Sequence, residues 1–206
     1  MKIYQTLLLS LTCFCACKKN PGIPSNGYDP NNPSFKIGTT WVYHYTGYQP
    51  NGSISYEDDI TFTIAKDTTI NGAKYYVTSN NYYFGNKTSG YYEYDRNLLR
   101  ENLFYKKPVT TGEMYQGDYL SIPPSTCLLK FNATVGNTDT TYTYSGKVYD
   151  KLIGYTLNNF SSNCQSLPTY SKEFYSTKMG LKIFSTFYSG SPSALSQKIE
   201  LKSFTY

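Results

Sequence analysis

The chain has 206 residues, a net charge of +5 and 16% charged residues, enough for a single domain with a real core. Its basic residues are spread along the chain, which argues against a nucleic-acid patch, and one histidine leaves little material for a His-based metal site or a Ser-His-Asp triad. Tyrosine is the outlier, with 24 copies beside 11 Phe and one Trp. A tyrosine ring packs across strands while its hydroxyl reaches water, so this composition points to an exported all-β protein.

At the amino end, Lys2 precedes an apolar run over residues 3–16 that includes Leu7, Leu8, Leu9, Leu11 and Phe14. That is a signal-peptide arrangement, and it falls short of the roughly 20 apolar residues a spanning helix needs. Ala16 is the small residue placed for cleavage, which makes Cys17 the new amino terminus. Phe14-Cys15-Ala16 ahead of Cys17 resembles the lipobox of bacterial lipoproteins, in which that cysteine is acylated. The alternative is a plain signal peptide or an uncleaved anchor, with Cys17 an ordinary thiol. Cys13 and Cys15 sit inside the apolar run, a poor setting for thiolate ligands.

The expected organisation is a lipoprotein signal peptide over 1–16, a lipidated cysteine with a flexible Pro/Asn-rich tether over 17–34, and a β domain over 35–206. The mature chain keeps two cysteines, Cys127 and Cys164. In an oxidising compartment they are expected to form one disulfide, worth about 3 to 4 kcal/mol as a long-loop staple; two unpaired thiols are the alternative.

From Phe35 onward the hydrophobic period is mostly two. Trp41, Tyr43 and Tyr45 share one face of the first strand, with Val42, His44 and Thr46 on the other. A turn at residues 50–53 leads to a segment in which Ile54, Tyr56, Ile60, Phe62 and Ile64 flank the acidic patch Glu57-Asp58-Asp59. Asn71-Gly72 marks a hairpin turn. "SGYYEYDRN" and "LLRENLFY" read as a further hairpin, although Leu99 and Leu103 would also align on a helix.

Pro108 and Pro123-Pro124 bound a looser middle. "CLLKFNATVGN" and "TTYTYSGKVY" are then expected to pair about Gly136-Asn137. "SKEFYSTKMGLKIFSTFY" and "SQKIELKSFTY" close the chain. The count is about ten strands, which predicts an all-β fold: a single antiparallel curved sheet or half-open β-barrel.

A weak internal repeat is visible. "IGTTWVY" at 37–43 and "TGEMYQ" at 111–116 each carry Gly followed three residues later by an aromatic. Asp67-Thr68-Thr69 and Asp139-Thr140-Thr141 recur at a similar offset. Two half-sheets of related design would produce both, and so would chance in a chain rich in Thr and Tyr.

Together the lipobox, the Pro/Asn linker, "GTTWVYHY", "DTTINGAKYY", "KMGLKI" and "IELKSF" resemble small tethered lipoproteins of Bacteroidota cell envelopes. The resemblance implies a curved or half-open barrel anchored in the outer membrane, facing periplasm or exterior, and carries over no catalytic residue. Asp-Thr-Thr also resembles the short O-glycosylation sequon of the same bacteria.

No nucleotide, hydrolase-elbow or zinc-protease motif is present, and no cofactor is implied. Two carboxylate pairs, Glu57 with Asp59 and Glu93 with Asp95, have the spacing for glycoside hydrolysis, but alternating acids among Tyr and Arg are more often a solvated strand face. Clusters of rings at Tyr75-Tyr76, Tyr82-Tyr83-Phe84 and Tyr91-Tyr92 with Tyr94 could each expose a ring for stacking on a sugar, because neighbours on a strand face opposite sides; the alternative, favoured in a chain this rich in tyrosine, is that the rings pack on one another. Trp41, Tyr82, Tyr92 and Tyr94 are therefore the candidate ligand-binding residues.

The reading this supports is a non-enzymatic lipoprotein that binds a glycan, an apolar molecule or another envelope protein. The alternatives are an assembly subunit docking through a sheet edge, or a polysaccharide hydrolase.

Overall fold

The computed structural model describes residues 35–96, 98–118, 129–161, 169–189 and 194–205. Cys17, Cys127 and Cys164, and the whole of residues 1–34 expected to hold the signal peptide and tether, lie outside these residues. The described chain is all-β and antiparallel. Thirteen strands form one sheet: β1 (Thr40–Tyr48), β2 (Ile54–Ile70), β3 (Ala73–Thr78), β4 (Tyr83–Lys87), β5 (Gly90–Asp95), β6 (Arg100–Lys106), β7 (Met114–Asp118), β8 (Leu129–Val135), β9 (Thr140–Tyr144), β10 (Lys147–Ser161), β11 (Thr169–Ser176), β12 (Leu181–Ser189) and β13 (Ala194–Thr205).

The order across the sheet is β6-β5-β4-β3-β2-β1-β13-β12-β11-β10-β8-β7, with β9 paired to β10. Two meanders thus join where β1 pairs with β13, from Thr40 opposite Thr205 to Gly47 opposite Gln197. At the far ends β6 and β7 come together without a ladder. There the Tyr115 hydroxyl donates to the Phe104 carbonyl (2.8 Å) and accepts from the Lys106 amide (3.3 Å), so a side chain stands in for strand pairing. The sheet is nearly closed into a barrel.

The repeat seen in the sequence has a structural counterpart. The Gly38 amide donates to the Ile64 carbonyl and the Ile64 amide to the Thr39 carbonyl; the Gly112 amide donates to the Val135 carbonyl and the Val135 amide to the Glu113 carbonyl. Trp41 faces Phe62 across β1–β2 just as Tyr115 faces Ala133 across β7–β8. The interval from Gly38 to the Asn71-Gly72 turn equals that from Gly112 to Ser145-Gly146. Both turns have positive φ at their two central residues (51° and 77°; 49° and 77°), the geometry that tight hairpins favour.

β8 and β9 together correspond to the long strand β2. β2 is bulged between Ile64 and Lys66, and the second half breaks just after Val135, where Gly136 and Asn137 instead bond to the Gly154 backbone. The expected pairing of "CLLKFNATVGN" with "TTYTYSGKVY" is therefore corrected. β8 pairs with β7 and β10, while β9 pairs with β10 through the Ser145-Gly146 turn.

Two other readings are sharpened. The middle around residue 114 holds β7, and the ambiguous "LLRENLFY" is strand β6, with Leu99 (φ 49°) in the preceding turn. Inside the barrel the two meanders meet ring to ring. Tyr105 stacks on Tyr175 with centroids 4.7 Å apart, Tyr91 lies 6.0 Å from Tyr175, and the Tyr155 hydroxyl donates to the Lys106 carbonyl (2.7 Å). Phe35 packs against Tyr76 and Phe84 at 5.1 and 4.9 Å. Offset and edge contacts of this kind add about 0.5 to 1.5 kcal/mol each beyond the area they bury.

Candidate functional site

The interior is not completely filled. A cavity of about 280 Å³ remains, near the lower limit for small-molecule sites. One wall comes from β1 and β2: Trp41, Tyr43, Tyr45 and Phe62. The facing wall comes from Tyr82, Tyr91, Phe104 and Tyr105, with Leu181 at the side. Strand alternation puts Trp41, Tyr43 and Tyr45 on the inner face together. Trp41 and Phe62 are stacked nearly parallel (9°), Tyr43 stands at 77° to Phe62, and Tyr45 at 89° to Tyr43. The rings form walls at right angles, their inner members Trp41, Tyr43, Tyr91 and Tyr105 buried and Tyr45, Phe62 and Tyr82 half-buried at the rim.

Two charged side chains complete the lining, Glu93 and Lys182. Glu93 lies on the inner row Tyr76–Phe84–Glu93–Asn102, which crosses β3 to β6 in register. Its carboxylate accepts a hydrogen bond from the Tyr82 hydroxyl, and the Tyr82 and Tyr91 hydroxyls are 3.2 Å apart. Burial pushes the Glu93 carboxyl up to about 8, opposed by the charge of Lys182 and reinforced by that of Glu173. Asn102, opposite Glu93, is buried, and neither of its amide atoms has a hydrogen-bond partner in the described protein.

Glu173 is a second buried carboxylate, and it is fully engaged. It accepts from the Tyr105 hydroxyl and from Ser171 Oγ (3.0 Å), and Lys182 Nζ lies 3.7 Å from its Oε2. Lys182 reaches it because the β11–β12 register shifts between Phe174 and Tyr175, which places Lys182 opposite Tyr175. The Tyr43 hydroxyl donates to the Lys182 carbonyl (2.8 Å) and ties the two meanders across the cavity. Burial raises Tyr43, Tyr45 and Tyr91 above the ordinary phenol range, so these hydroxyls stay neutral.

The structure divides the four rings singled out in the sequence. Trp41 and Tyr82 line the cavity, whereas Tyr92 and Tyr94 lie on the outer face. The Tyr92 hydroxyl is 3.0 Å from Ser89 Oγ with Lys87 Nζ 4.6 Å above its ring, and Tyr94 packs on Tyr75 (5.4 Å). Tyr75 and Tyr76, 2% and 1% exposed, follow the packed-ring alternative and offer no free ring face. Tyr76 faces the core, and Tyr75 is covered from outside by Tyr94, Lys87 and Glu101.

The carboxylate pairs also separate. Glu93 and Asp95 are buried, not a solvated face, and the Asp95 carboxylate accepts from the Leu98 amide (3.1 Å) in the turn before β6. Glu57 and Asp59 are exposed and flank His44, with His44 Nδ1 2.9 Å from Asp59 and Nε2 3.6 Å from Glu57. Lys202 also bonds Asp59, and these partners hold its carboxyl below the usual range. The two Asp-Thr-Thr runs lie on β2 and at the start of β9, with Thr69 and Thr141 exposed. Among the described residues no group of three or more His, Cys, Asp or Glu side chains is placed to hold a metal ion.

Sequence reasoning missed Lys182 because the β12 bulge breaks its alternation, whereas Glu173 alternates regularly with the buried Ser171 and Tyr175 and so carried a signal that was not used. Tyr43 and Tyr45 carried a usable signal, since both alternate with Trp41. Compared with known proteins, the chain matches no family model and no curated protein.

Proposed function

We propose that this chain is a non-enzymatic lipoprotein of the cell envelope, held to the membrane by lipid on Cys17, whose barrel binds a small ligand in its aromatic cavity. The observation that carries the binding reading is a cavity walled by eight aromatic rings, with one buried carboxylate converging on it. Concave, mostly apolar sites with few placed polar groups are the usual form of a small-molecule site. The anchor rests on the sequence: Lys2, the apolar run and Ala16-Cys17.

Mass spectrometry of protein extracted gently from the native envelope tests both halves of the reading. Under denaturing conditions the mature chain is expected to begin at Cys17 with added acyl mass. Under native conditions it is expected to carry a non-covalent small-molecule adduct, diminished when Leu181→Trp fills the cavity. An unacylated chain would remove the anchor. An adduct-free native mass would remove the binding role.

A further inference from the structure

We infer that the cavity takes a small organic monocation, an amine or quaternary ammonium, with its charge at Glu93 and its apolar body against the crossed rings of Trp41, Tyr43, Tyr45 and Phe62. This rests on the binding reading above and names the ligand class for that same cavity.

Charge pairing within the barrel carries the argument. Two buried carboxylates, Glu93 and Glu173, face one ammonium, Lys182. Lys182 Nζ lies 3.7 Å from Glu173 and 5.7 Å from the centre of the Phe187 ring. Glu173 also has Tyr105 and Ser171 as donors. Glu93 is left with the neutral Tyr82 hydroxyl, so an ionised Glu93 has no cation of its own among the described residues. A buried carboxylate without a counter-charge is costly, and a bound cation would supply one.

The walls suit the same ligand. Ring faces attract cations through their quadrupoles, and aromatic boxes are a recurrent solution for ammonium groups. The right-angle arrangement of Trp41, Phe62, Tyr43 and Tyr45 presents such faces. A neutral sugar could stack on these rings but would draw nothing from the ionisation of Glu93, and an anion would face the buried Glu173 carboxylate.

The fit implies a proton exchange. The groups facing Glu93 are Tyr82 and Tyr91 beside it, Tyr43 and Tyr45 from β1, Tyr105 from β6, Glu173 and Tyr175 from β11, and Lys182 from β12. In the empty cavity at neutral pH Glu93 is mostly protonated. Cation binding favours its ionised form, so binding releases a proton and tightens as pH rises from about 6 toward 9.

The experiment titrates the full chain in mild detergent with its single tryptophan as reporter, using choline and its uncharged carbon analogue 3,3-dimethylbutan-1-ol. Calorimetry in two buffers of different ionisation heat counts the protons. Choline is expected to bind at least tenfold tighter than the alcohol, to release protons at pH 7, and to lose that preference in Glu93→Gln with an unchanged far-ultraviolet spectrum. Equal affinity for the two compounds, or a preference that survives Glu93→Gln, overturns the cation assignment and leaves the binding reading standing. Binding of neither also overturns the assignment, and the native-mass adduct then decides separately whether the cavity binds anything.

Discussion

Glu93 shows how one residue can set the pH response of the whole fold. Its carboxyl titrates near 8 in the folded barrel, against an ordinary value of 4.5. Between those pH values the folded chain binds more protons at this site than the unfolded chain, so stability falls as pH rises. Below about pH 4.5 both states are protonated and the penalty vanishes. Each pH step above that point costs about 1.4 kcal/mol until the folded carboxyl itself ionises, which amounts to roughly 3 kcal/mol at pH 7. Glu93→Gln keeps an acceptor for the Tyr82 hydroxyl and removes the ionisable group. Urea denaturation should therefore find the variant near wild-type stability at pH 4 and more stable by a few kcal/mol at pH 7 to 8. A difference that stays constant with pH would show that Glu93 ionises freely inside the barrel.

Elements add a constraint that no single residue reveals, because the barrel closes differently on its two sides. β1 and β13 share a ladder, bulged between Val42 and Tyr43, while β6 and β7 have none and are joined at their seam by side chains, with Tyr115 bonding the β6 backbone. Its hydroxyl bonds both the Phe104 carbonyl and the Lys106 amide, groups that would otherwise be edge positions open to another strand. Lys106 and Glu113 form an ion pair beside it. Tyr115→Phe keeps the ring against Phe131 and Tyr155 and deletes only the bridge. A cost of about 1 to 3 kcal/mol is expected, with hydrogen exchange at the Lys106 amide accelerating more than exchange in β1 or β13. Uniform exchange across all strands would mean that the seam is held by its rings.

Long-range register marks a limit of sequence reading. Alternation correctly put Trp41, Tyr43 and Tyr45 on one face, and Asn71-Gly72 correctly marked a turn. It could not place Lys182 or assign the partners of β9, since bulges and long-range register depend on strands far apart in the chain. Glu93 looked solvated for a related reason. Its pattern of alternating acids is the same whether the strand face meets water or the opposite wall of a barrel.

At the scale of the molecule the two meanders are mutually dependent. Each has the same glycine-initiated first strand, the same two-residue turn and the same sheet order, so each reads as a repeat of one six-strand unit. Neither can bury its inner face alone. Tyr91 and Tyr105 of the first unit need Tyr155 and Tyr175 of the second, and the buried Glu173 takes a hydrogen bond from Tyr105 across the divide. The Glu93 cavity also draws its aromatic rings from the first unit, and Leu181 and its single ammonium from the second. A repeat that cannot bury its apolar face should be unstable alone and stable with its neighbour. Fragments 35–108 and 109–206, produced together, should therefore co-purify one to one and regain the Trp41 response to ligand. Produced separately, each should be aggregated or unfolded by far-ultraviolet circular dichroism. A stable, cooperatively melting monomer from either fragment would show that the unit carries its own core, and the shared interior would then be an association of two finished domains rather than the condition for folding.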